Sequence, residues 1–217
     1  MNQTRHTYYV LIYQVPTQPA AARVSVWREL KRLGALYLQQ SVCVVPSVPT
    51  IRAQLERIIA RITALEGTYH LLPIRSLPPE EETKIIEGFK AQSNIQYEEI
   101  IENCEVNFTK EIEFETFRQN FTYAEAEEIR HDLDKIHRWY DRVVERDWFD
   151  ASKREETLRC IERCEALLEG FEEKVFAAQQ AEQADEASPA APSSVNPAPP
   201  VLLPRARGRR NTRGKAR

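Results

Sequence analysis

The sequence predicts an α+β protein: a β-α-β-β-α-β unit, then an antiparallel helical bundle, then a disordered basic tail. Three observations predict it. Residues 1–76 alternate short β-branched and aromatic runs with stripes at helical spacing. Residues 77–176 keep only the helical spacing, and residues 177–217 turn to Ala, Pro, Gln and Ser before ending in arginines. A period near two marks strands and one near 3.6 marks helices, so the change of period marks a change of architecture.

Tyr8-Tyr-Val-Leu-Ile-Tyr-Gln-Val15 is β-branched and aromatic and stops at Pro16, so it reads as a buried strand. Thr17 and Pro19 open a helix that runs to about Leu33, with Gly34 in the C-terminal stop position. Ala35 to Gln39 and Ser41 to Val45 read as two strands with a tight connection, closed by Pro46. Ser47 and Pro49 start a second helix with Ile51, Leu55, Ile58, Ile62 and Leu65 on one face; Gly67 ends it, and Thr68 to Ile74 is the fourth strand. This is the split order of a ferredoxin-like fold, in which one antiparallel sheet buries one face beneath two helices.

After Leu77 the texture changes. Pro78-Pro-Glu-Glu-Glu82 is a helix start, with proline early and carboxylates where the helix dipole favours them. Ile85, Ile86, Phe89, Ile100, Ile101 and Cys104 follow at helical spacing. Thr122-Tyr-Ala-Glu125 is a capping box before Ile129, Leu133, Ile136, Tyr140 and Val143. Ser152-Lys-Arg-Glu155 is a second, before Ile161, Cys164, Leu168, Phe171 and Val175, and Asp147 to Ala151 reads as the turn between these two helices. The expected organisation is a ferredoxin-like basic domain over 1–76, an acidic three-helix domain over 77–176, and a disordered Pro/Ala-rich linker with a basic tail over 177–217.

An apolar share of 42% suits a packed core. The apolar run Tyr8 to Tyr13 is too short for a membrane span or a signal-peptide core, so a cytoplasmic protein without membrane contact is expected. The net charge of -3 hides a segregation. Residues 1–76 carry nine Lys and Arg against three Glu; 77–176 carry fourteen against twenty-seven acids; 177–217 carry seven against three. A basic part that meets an anion is the expectation.

Cys43, Cys104, Cys160 and Cys164 match no paired Cys-x-x-Cys pattern. Cys160 and Cys164 share a helix face, as core residues or as ligands of a soft ion. The four histidines are scattered, and no Gly-rich phosphate loop, His-Glu-x-x-His or serine elbow occurs. Nucleases of CRISPR adaptation systems, built on a ferredoxin-like domain, hold a divalent metal with an aspartate at the end of the first strand. Gln14 stands there, and the first carboxylate is Glu29; a hard cation asks for carboxylate oxygen. No enzyme, cofactor or metal site is expected.

On the first helix, Ala22, Val26, Leu30 and Leu33 fall on the side that must face the sheet. Arg28, Lys31 and Arg32 fall opposite, while Arg23 and Trp27 share an intermediate side where guanidinium can stack on indole. Two readings stand: an ordinary solvated face, or a strip that binds phosphates. Such faces usually mix signs; here only Glu29 opposes four cations. The end of the chain, with Arg205, Arg207, Arg209, Arg210 and Arg213, reads as a flexible arm that attracts DNA, RNA or an acidic protein surface, its own acidic helices included.

Leu11-Ile-Tyr-Gln-Val-Pro-Thr-Gln-Pro19, Arg23-Val-Ser-Val-Trp-Arg-Glu-Leu-Lys-Arg-Leu-Gly-Ala35 and Leu38 to Pro46 resemble the N-terminal domain of the ChrB family of chromate-resistance proteins. Phe121-Thr-Tyr-Ala-Glu-Ala-Glu-Glu-Ile129 and Asp147-Trp-Phe149 resemble its helical continuation, so the likeness covers about residues 8 to 176. The element order is also similar, more distantly, to the ferredoxin-like part of the phenylacetate repressor PaaX. The resemblance implies a DNA-binding regulator of a chromate-efflux operon, with Arg23, Arg28, Lys31 and Arg32 as DNA contacts. Chromate-sensing members carry a further C-terminal domain where this chain has its basic tail, which leaves two alternatives: a separately encoded chromate-sensing partner, or another ligand altogether. The rival expectation is a protein-interaction adaptor that acts through the acidic helices without touching DNA. Open sheet edges make a homodimer a further expectation.

Overall fold

The computed structural model describes residues 7–18 and 20–187; Arg205, Arg207, Arg209, Arg210 and Arg213 of the expected tail lie outside these described residues. The chain begins β1 (Tyr8–Gln14), α1 (Ala20–Arg32), β2 (Leu36–Gln39), β3 (Val42–Pro46), α2 (Pro49–Ala64) and β4 (Thr68–Ile74). The strands form one four-stranded antiparallel sheet in the order β2-β3-β1-β4. Helices follow: α3 (Pro79–Glu102), a π-helical segment (Asn103–Phe108) that leads directly into α4 (Thr109–Phe117), α5 (Tyr123–Val144) and α6 (Arg154–Ala187). The chain is therefore α+β and mostly helical. Among the described residues, no helix is long and apolar enough to cross a membrane.

The pleat of β1 sorts its side chains between two cores. Tyr9, Leu11, Tyr13 and Val15 pack with Cys43 and Val45 of β3 against Val26 and Leu30 of α1 and Ile51, Leu55, Ile58 and Ile62 of α2. Tyr8, Val10 and Val44 point the other way, to a small core with Phe89 and Ile85 of α3 and with Trp148 and Phe149. The register carries this division across the sheet, with Leu11 opposite Cys43 and Val10 opposite Val44. Two helices were expected on one face; the structure adds α3 and the α5–α6 turn on the other. Burying each of these Leu, Ile and Phe side chains stabilises the fold by about 1.5–3 kcal/mol.

α3 serves two cores along its length. Phe89 packs under the sheet, whereas Tyr97, Ile100 and Cys104 join the core shared with α5 and α6. That second core takes Ile129, Leu133 and Ile136 from α5, and Ile161, Cys164, Leu168 and Phe171 from α6. All four cysteines are buried free thiols. Among the described residues no group of three or more His, Cys, Asp or Glu is arranged to hold a metal ion.

Three local expectations need correction. Ser152 does not cap α6 by the capping-box route; the Asn94 side chain of α3 accepts the Lys153 backbone N–H at 3.0 Å and donates to Ser152 Oγ at 3.3 Å. A tertiary acceptor has replaced the local one. Glu66, not Gly67, takes the left-handed conformation after α2, with φ 57°. Gly67 is needed for space instead, since a Cβ there would lie 2.6 Å from the Gln14 carbonyl oxygen. Finally, α6 continues past Phe176 to Ala187, beyond the expected start of the linker. Ala, Gln and Glu dominate this stretch and are strong helix formers, and the first proline comes only at Pro189. The Thr122 cap, by contrast, forms as expected, its Oγ1 accepting the Glu125 N–H at 3.3 Å.

Candidate anion-binding groove

α1 lies on the sheet by Ala22, Val26 and Leu30, all buried. The opposite side does not simply face solvent. It forms one wall of a groove of about 660 Å³, closed on the far side by α3 and the end of α5. Arg28, Lys31 and Arg32 line it from α1, and Arg142 and Arg146 line it from α5 and the turn after it. Gln92, Gln96 and Glu99 of α3 complete the polar lining.

Lys31 is half-buried; it donates to Gln92 Oε1 at 3.4 Å and holds its ammonium 5.5 Å from the centre of the Tyr37 ring. Arg146 is half-buried too, and its Nη2 donates to Gln96 Oε1. Both hydrogen bonds go to neutral amides and leave the positive charge uncompensated. Burial first, and then the like charge of Arg142, pushes the Arg146 guanidinium below its usual pKa, against a smaller opposing effect of Glu145. The Nε–H of Arg146 and the Nε1–H of Trp148 are buried without an acceptor.

Several cations outside the groove find acids, among them Arg52 with Glu56, Lys84 with Glu81, Arg130 with Glu172, Lys153 with Glu156 and Arg163 with Glu105. Glu29, the acid that interrupts the basic strip of α1, is turned to Arg61 of α2 at 3.2 Å. Among the described residues, Arg28, Lys31, Arg32, Arg142 and Arg146 make no ion pair. Five cations against a single carboxylate in the lining, Glu99, with Glu145 close by, give the groove a net positive charge that favours anions.

The seam is held by a short segment. Asp147 accepts the Ala151 N–H at 3.0 Å with each carboxylate oxygen and the Tyr97 hydroxyl at 3.1 Å. Trp148 packs on both cores of the sheet, and the Phe149 ring lies 5.3 Å from that of Phe89. Gly34 makes the close approach feasible. Its φ is +80°, and a Cβ on it would lie 2.8 Å from Arg146 Cβ and 3.1 Å from Trp148 Nε1.

Arg23 stands outside the groove. It lines a second pocket, of about 370 Å³, with Val24, Trp27, Tyr37, Gln39 and Gln40. Trp27 is 47% exposed and belongs to both cavities, forming the partition between them. The five tail arginines named from the sequence, Arg205, Arg207, Arg209, Arg210 and Arg213, fall outside the described residues.

Arg142 and Arg146 are the residues that reading along the chain passed over, submerged in the acidic majority of residues 77–176. Their signal was the four-residue spacing, which brings Arg142 in the last turn of a helix and Arg146 just beyond it to the same side.

A family model described as "Protein ChrB, N-terminal" matches residues 23–182. Protein ChrB of Cupriavidus metallidurans is similar as well, 26% identical over 77 residues, which is 36% of this chain and 24% of that protein. The chain thus aligns with about a quarter of that relative's length.

Proposed function

Since the chain belongs to the family of ChrB N-terminal regions, we propose that it is a cytoplasmic, DNA-binding regulatory protein of chromate resistance. The carrying observation is the convergence of Arg28, Lys31, Arg32, Arg142 and Arg146 on one groove without ion-pair partners among the described residues. Phosphates neutralised by such cations release condensed counterions, which supplies affinity and makes it fall with salt. The activity is binding, not catalysis: the lining offers donors and charge, with a lone carboxylate in Glu99. The strand order β2-β3-β1-β4 supports a ferredoxin-like reading of the first 76 residues, with the helices after residue 77 as a second unit. In this reading the anion site belongs to both units, because each supplies part of the lining.

Gel shift on the operator-proximal DNA of a chromate-efflux operon, at two salt concentrations, tests this. Arg28→Glu and Lys31→Glu are expected to weaken the shift, and Arg142→Glu to weaken it as much. A shift unchanged in all three variants would clear the groove of any role. A second reading, a protein-interaction adaptor, rests on the exposed aromatics Phe114, Phe117 and Tyr123, of which Phe117 is 86% exposed. Loss of partner capture in Phe117→Ser with DNA binding intact would favour it.

A further inference from the structure

Trp27 divides two cavities of opposite character. On one side lies the cationic groove. On the other, Tyr37 and Val24 surround a pocket of about 370 Å³ with Trp27 as a wall, and Gln39, Gln40 and Arg23 stand at its polar margin. That volume lies within the roughly 300–1,000 Å³ range of small-molecule sites, which are mostly apolar with a few oriented polar groups.

The floor is preorganised. Tyr13 and Tyr37 share a hydroxyl–hydroxyl hydrogen bond of 2.9 Å, and Lys31 lies over the Tyr37 ring while it lines the groove. The β2 register shifts between Tyr37 and Gln39, and Ser41 has φ 65°; this irregular turn lifts the Gln39 and Gln40 amides to the pocket rim. The indole is 47% exposed, beside the amides of Gln39 and Gln40 and next to cations without ion-pair partners, so it is open to a flat ligand.

We infer that this double cavity binds a nucleoside phosphate: the base against Trp27 in the aromatic pocket, its phosphate toward Arg28 and Lys31 in the groove. Every base has a π-face that an aromatic side chain can accept, and the amides of Gln39 and Gln40 each offer a donor and an acceptor to a base edge. The source is an unpaired nucleotide in a strand or a free mononucleotide, and these share the same chemistry. The inference rests on the regulatory reading for the groove but adds a second, uncharged contact that a paired base in a duplex does not reach.

The experiment measures fluorescence anisotropy of the full chain with three probes: a labelled ten-nucleotide oligothymidine, a labelled duplex, and thymidine monophosphate as competitor. Loss of a base–aromatic stack corresponds to about 5- to 150-fold weaker binding. Trp27→Leu is therefore expected to weaken oligothymidine binding by at least about 5-fold and to lower duplex affinity by a smaller factor, since Trp27 also borders the groove, while Trp27→Phe keeps most of the oligothymidine binding. Competition by the mononucleotide, lost in Trp27→Leu, identifies the free nucleotide as ligand; no competition with strand binding intact identifies the unpaired base. Oligothymidine binding that ignores Trp27→Leu overturns the inference and leaves the regulatory reading standing if the duplex still depends on Arg28. Failure of every probe to bind wild type overturns both.

Discussion

Arg146 packs its Cβ so close to Gly34 that a methyl group on the glycine would lie 2.8 Å away. One residue ends the first helix of the sheet and the other follows the helix that carries Arg142, so this contact sets how the two walls of the cationic groove meet. Gly34 is confined twice, by φ +80° and by the neighbour.

Gly34→Ala should therefore be destabilising and should loosen the groove as well. The left-handed conformation alone costs an alanine about 1–2 kcal/mol, and the clash adds to it. A chain of this size should lose roughly 2–4 °C of melting temperature per kcal/mol. Calorimetry checks the first effect, and a larger fall in duplex affinity than Arg32→Gln produces checks the second.

Salt dependence gives a count of the cations in use. Each phosphate contact contributes about -0.9 to the slope of log affinity against log salt on duplex DNA. Arg142→Gln and Lys31→Gln should each make the slope shallower by about one. Equal slopes in wild type and variants, by anisotropy titration, would show that these charges face no phosphate.

Asp147 fastens the turn between α5 and α6, and its loss should release that turn. Asp147→Ala leaves the Ala151 N–H and the Tyr97 hydroxyl without their acceptor, at about 1–3 kcal/mol for each donor left buried. Tyr97, buried and facing this carboxylate, has its phenol pKa pushed upward, by burial first and by the Asp147 charge second. Faster amide exchange at Ala151 in the variant, with a lower melting temperature, is the expected result.

Glu111 shows the opposite pH dependence from an ion-paired acid. Burial, and then Asp132, Glu128, Glu125 and Glu115, raise its pKa above the usual glutamate value. The folded state thus holds this proton more tightly than the unfolded state, so the group's contribution is favourable in acid and is lost as pH rises through the raised value. Glu111→Gln should melt higher than wild type at pH 7, and the gap should close at a pH below the ordinary glutamate range.

The thiols should differ in reactivity. Burial pushes Cys43 up to about 12 in the middle of the sheet, whereas Cys164 borders a cavity with Cys160 and Arg163, where a small reagent can approach it. Iodoacetamide applied to the native protein at pH 8, followed by peptide mapping, should modify Cys164 well before Cys43. Preferential labelling of Cys43 would contradict the packing of the sheet.

Local pattern alone determined a good deal of this protein. The β-branched and aromatic run from Tyr8 to Val15 gave a buried strand, the stripe from Ile51 to Ile62 gave α2, and Thr122 with Glu125 gave the start of α5. The cations of α1 were legible because helix geometry places Arg28, Lys31 and Arg32 opposite Val26 and Leu30. Tertiary structure decided the rest: that α3 covers the second face of the sheet, that Asn94 rather than Ser152 serves the start of α6, and that Arg142 and Arg146 stand across from Arg28 and Lys31. The reason is range. Periodicity reports what residues within a turn or two do to one another, whereas the groove depends on side chains about a hundred positions apart being brought together by Trp148 and Phe149 packing under the sheet.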